Sequence, residues 1–193
     1  DPGRRPGVRR AHGHAVAHPH ALTLVRTGEN GRVTLDQADL HVLAEQLGRV
    51  PRGAMRVAAR CVCGRPTVVV TAPRLDDGTP FPTTYYLTCP PASAAISALE
   101  ATGIMKQMTA RLAEDDELHA AHRRAHEAYI ADREALGHVP EIEGISAGGM
   151  PDRVKCLHAL AAHALAAGPG VNPIGDEALA LVAEAWRPDR CRC

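Results

Sequence analysis

The sequence predicts an α+β fold: a small antiparallel sheet packed with about five helices. Two β-branched runs, "TVVVTAP" and "TTYYLTC", flank the breaker-rich "RLDDGTPFP" and read as a hairpin with a long loop around residues 66–89. Helical periodicity dominates the chain after Cys89. A sheet followed by a separate run of helices is the α+β pattern. With 193 residues and 45% hydrophobic content, the chain fits one domain with a real core. That core must be Ala, Leu and Val, because there is one Phe, one Trp and three Tyr. The same scarcity removes the aromatic platform on which single-stranded nucleic acids stack.

Residues 1–33 carry Arg4, Arg5, Arg9, Arg10, Arg26 and Arg32 against Asp1 and Glu29, with histidines from His12 to His20. They read as a disordered basic tail, solubilising rather than phosphate-binding. A single domain is expected over 34–187. Its first helix opens at Thr34, which has capping-box spacing to Gln37, and closes at Gly48. "MRVAAR" gives a short strand, "CVCGRP" a tight loop, and then the hairpin follows. "ASAAISALEATG" is a short helix with Ser93 as its cap. A long helix is expected over about 105–136, where charge is dense and Gly and Pro are absent. "RVKCLHALAAHALAAG" is a helix that starts at Pro151 or Asp152, and "EALALVAEAW" is the last one. Residues 188–193, "PDRCRC", read as a frayed tail.

Lys and Arg total 22, as do Asp and Glu, so no net field recruits nucleic acid or a membrane. No apolar run reaches the ~18 residues of a membrane span, and no signal-peptide core is visible. The expectation is a cytoplasmic protein, in which six cysteines mean free thiols or a metal site rather than a disulfide framework.

Cys156, His158 and His163 share one predicted helix, but one ion cannot take all three. Cys156 and His163 would be separated by about 10.5 Å of rise, and Cys156 and His158 point about 200° apart. The helix can instead donate Cys156 to a shared site. The hairpin brings Cys89 back toward Cys61 and Cys63, and four thiolates suit zinc or an iron–sulfur cluster. His119, His122 and His126 lie on one side of the long helix among charged neighbours and read as a solvated face. Gly148 and Gly149 precede a helix start and Arg153 and Lys155 follow, a combination suited to a small anionic ligand. Asp76 and Asp77 shape a turn.

"CVCGRPTVVVTAPRLDDGTPFPTTYYLTCP", "AHEAYIADR" and "GISAGGMPDRVKCLHALAAHALAAGPGVNPIGD" together resemble the bacterial, mainly actinobacterial, domain-of-unknown-function family 501 over roughly 34–181. The resemblance carries no established activity. It implies cysteines at Cys61, Cys89 and Cys156 and histidines at His158 and His163, and treats Cys63 as dispensable. The implied site is therefore three cysteines completed by a histidine or an outside ligand, holding zinc or an iron–sulfur cluster. Family members tend to be encoded beside a septum-formation protein and an exopolyphosphatase-like phosphatase. The alternative expectation is thus a non-catalytic accessory protein linked to cell division or polyphosphate metabolism, docking a protein partner through the long charged helix.

Overall fold

The structure, a computed structural model, describes residues 35–193; the basic segment 1–33 and the expected helix opening at Thr34 lie outside the described residues. Three strands form one antiparallel sheet in the order β1 (Ala54–Arg60), β2 (Pro66–Thr71), β3 (Tyr85–Leu87). The central strand is buried at every position, so its Val/Thr run needs no polar face. Val69 pairs with Val57 on one side and Tyr86 on the other.

Both faces of the sheet are covered. On one, α1 (Gln37–Leu47) packs Leu43 against Val69, with Leu35 beside them. On the other, Val68, Val70 and Leu87 enter the main core. That core is built by α2 (Pro90–Ala101), α3 (Ile104–Glu114), α4 (Asp116–Glu134), α5 (Leu157–Ala167) and α6 (Pro173–Leu181). The layering is helix, sheet, helices, and α+β is the fold. No described helix is long and apolar enough to cross a membrane.

Several boundaries differ from those expected, each for a local reason. The 105–136 helix is two helices. Asp115 leaves helical geometry (φ −122°, ψ 98°) and its carboxylate accepts from Leu118 N–H at 2.9 Å, so it caps α4 instead of continuing α3. Helix α1 is capped by Asp36, whose carboxylate accepts from Asp39 N–H at 2.7 Å. Helix α2 begins at Pro90, a residue pre-set for the first helical position, which leaves Ser93 inside the helix. Asn172 and Pro173 start α6 four residues before the expected Glu177, because the Asn172 side chain accepts from Gly175 N–H. Helix α5 starts at Leu157, after a turn in which Gly148 O accepts from both Lys155 N–H and Cys156 N–H.

The long histidine-bearing helix is not simply solvated. His122, Ala125, Tyr129 and Arg133 form its buried stripe. The Arg133 guanidinium donates to the carbonyls of Ile142, at 2.7 Å, and Ile145, fixing the loop that leads to α5. The Tyr129 hydroxyl accepts from Thr84 N–H at 2.6 Å, tying α4 to the strand before it.

Candidate metal centre

Strand β1 ends at Arg60, and the chain turns at once into β2. Cys61 N–H donates to Arg65 O at 2.9 Å and Gly64 N–H to Cys61 O at 2.8 Å. Gly64 takes φ +86°, a conformation that favours glycine and closes the turn. Cys61 is buried and Cys63 exposed on this turn.

The far end of the chain comes back to meet it. Trp186 is 1% exposed in the main core. Beyond it, Val62 N–H donates to Pro188 O at 2.9 Å, and Arg187 bridges Arg190. Residues 188–193, expected to fray, are thus laid against the β1–β2 turn. One ligand atom from each of Cys61, Cys63, Cys191 and Cys193 lies within 4.8 Å of the other three. Cys89, buried at the cap of α2, comes within 3.7 Å of Cys193, sulfur to sulfur. All six cysteines are free thiols.

The thiols differ electrostatically. Backbone N–H donation around Arg65, then the Cys191 thiol, lowers Cys63 to about 7. Burial pushes Cys61 up, and burial together with the Cys61 and Cys89 thiols pushes Cys193 up. An exposed, readily ionised thiol therefore sits beside thiols whose surroundings resist ionisation, and a cation bound among them would favour their thiolate forms.

Of the ligands expected from sequence, Cys61 and Cys89 converge here, both against Cys193. Cys156 and His158 do not. Glu100 stands eleven residues after Cys89, about 16 Å along α2, and it is with Glu100 that Cys156 and His158 form a second group, again within 4.8 Å of one another. There Glu100 Oε1 lies 3.2 Å from His158 Nδ1 and accepts from Leu157 N–H at 2.6 Å. The Cys156 thiol is lowered, chiefly by His158, and His158 is raised to about 9, chiefly by Cys156.

His163 belongs to neither group. It is fully buried, stacked on Tyr85 at 5.4 Å and edge-on to Tyr129 at 5.1 Å, with Nδ1 3.1 Å from Asn172 Nδ2. It is a core histidine.

The two glycines of the anion-binding expectation also have a packing use. A Cβ at Gly148 would lie 2.5 Å from Leu160 Cδ2, and one at Gly149 2.8 Å from Arg153 O, so Gly148 lets the loop close against α5 and Gly149 lets it fold on itself. Arg153 and Lys155 are exposed, and the first amide of α5 is met by the chain's own carboxylate, Glu100. Asp77 caps its turn through Thr79 N–H at 3.0 Å and pairs with Arg52.

The sequence reading does not single out Cys191, Cys193 or Glu100 as candidate ligands. For the first two the sequence holds a signal: "CVC" at 61–63 and "CRC" at 191–193 are the same Cys-x-Cys motif. For Glu100 it holds none, since its role depends on how α2 packs on α5.

A family model described as "Protein of unknown function (DUF501)" matches residues 57–180. No curated protein and no solved structure matches the chain.

Proposed function

We propose that this chain, which belongs to the DUF501 family of proteins of unknown function, is a metal-binding protein that holds one zinc ion through Cys61, Cys63, Cys191 and Cys193. The reading is carried by one observation: two Cys-x-Cys arms, far apart in sequence, place four thiols within 4.8 Å of one another. Zinc–sulfur bonds of about 2.3 Å put tetrahedral sulfurs about 3.8 Å apart, so small rotamer adjustments close the site on a single ion. An iron–sulfur cluster with its own sulfides is bulkier and needs its cysteines spread wider. Zinc is therefore favoured over a cluster. Two of the four thiols lie in the last three residues, so the ion acts as a clamp between the C-terminal segment and the β1–β2 turn.

The test is anaerobic purification followed by metal analysis and a visible spectrum. A colourless protein containing zinc is expected. Cys63→Ser and Cys191→Ser should each lose that ion, while Cys89→Ala should retain it. A folded protein with no zinc dependent on Cys63 or Cys191 would overturn the reading, as would a brown protein with iron and acid-labile sulfide.

A further inference from the structure

The geometry points to a second metal site, separate from the four-cysteine centre, in which Glu100, Cys156 and His158 bind a zinc ion and leave its fourth position to water or to an oxygen of a substrate. Their ligand atoms lie within 4.8 Å of one another, and Glu100 Oε1 is 3.2 Å from His158 Nδ1. Bonds of about 2.1 Å place two tetrahedral ligands about 3.4 Å apart, so this pair already stands at the spacing one ion requires.

The surrounding hydrogen bonds aim each donor inward. His158 Nε2 lies 3.2 Å from both Ser93 O and Ser97 Oγ. A backbone carbonyl can only accept, so Nε2 carries a proton, while Nδ1 faces Glu100 and Cys156, and an ion gains its lone pair by displacing the proton that Nδ1 shares with them. This is the usual support for a ligating histidine: its other nitrogen is bonded to a carbonyl. Glu100 is held by Leu157 N–H at 2.6 Å. Cys156 stands at the cap of α5, where the positive helix end favours a thiolate.

Donor chemistry selects the ion. One thiolate, one imidazole and one carboxylate are the mixed nitrogen, sulfur and oxygen set that zinc accepts. The two negative ligands neutralise a divalent ion, which suits a half-buried place. All three residues are only partly buried, so solvent reaches the fourth position. Four protein ligands close a structural zinc site, whereas three leave it open for Lewis-acid chemistry on a bound water. The competing occupant of this space is a proton on His158 Nδ1.

Zinc per chain is measured on the full chain, on Cys63→Ser/Cys191→Ser, and on Cys156→Ala and Glu100→Gln. The Gln variant keeps an oxygen for the Leu157 amide, so it preserves the helix start while weakening the site. Two zinc ions are expected in the parent and one in the Cys63/Cys191 double variant. Cys156→Ala should lose one, and Glu100→Gln should weaken one by about tenfold or more. Zinc should also slow alkylation of Cys156 by iodoacetamide, followed by peptide mapping, at least tenfold. If the four-cysteine reading fails and this one holds, the parent carries one ion that Cys156→Ala removes and the double variant keeps. Zinc content indifferent to Cys156 and Glu100, or Cys156 alkylated equally fast with and without zinc, would mean that a proton occupies the place and no ion does.

Discussion

His163 shows how a residue type misleads when its surroundings are unknown. A histidine seven residues from a cysteine resembles a ligand, yet the ring is walled in by Tyr85, Tyr129 and Asn172. Burial depresses it from 6.5 to about 4. The unfolded chain takes up a proton near pH 6.5 that the folded chain refuses until about pH 4. The neutral form's contribution is therefore complete above about pH 6.5 and is lost as pH falls toward 4. The loss reaches about 3 kcal/mol once pH is below about 4, where the folded chain is protonated too. Urea titrations from pH 7.5 to 4 should show this decline, and His163→Phe should flatten part of it. A variant with the parent's full slope would assign the slope to other groups, His122 first, since burial lowers it too. The cysteines teach the converse. Their positions were legible, but grouping depended on which residues the fold brings face to face. Cys156 went with Glu100, a residue with no motif around it.

At the scale of elements, most helices and strands were legible, and their ends were not. The ends turn on single hydrogen bonds: Asp115 to Leu118 N–H splits a run that periodicity alone joins, and Asn172 to Gly175 N–H starts α6 inside a segment that reads as turns. The α5–α6 contact is closer than sequence pattern reveals. A Cβ on Gly175 would stand 2.2 Å from Leu160 O, so only a glycine lets the α6 backbone lie against α5. Gly175→Ala should cost about 1–3 kcal/mol, the usual range for forcing extra atoms into a packed core. Chemical denaturation would measure it. A change under 0.5 kcal/mol (roughly the effect of an ordinary surface substitution) would show that the helices separate without penalty.

For the whole molecule, the proposed zinc clamp would close a circuit, with the C-terminal segment bound to a turn that comes more than a hundred residues earlier. Removing the ion with a chelator should release that segment. Trypsin should then cleave after Arg190 and Arg192 at least tenfold faster, while residues 54–181 stay folded around their core. Unchanged cleavage on chelation would mean that Pro188 and Trp186 hold the segment unaided. The sequence by itself determined the α+β class, the buried Val strand, the hairpin and the family, because these follow from local periodicity, β-branched runs and motifs within one stretch of chain. It also held the paired Cys-x-Cys motifs that supply the four candidate ligands. Only the tertiary structure decided which ligands share a site. Metal coordination is a matter of a few ångströms in space, and the segments that meet in each group lie 56 to 132 positions apart along the chain.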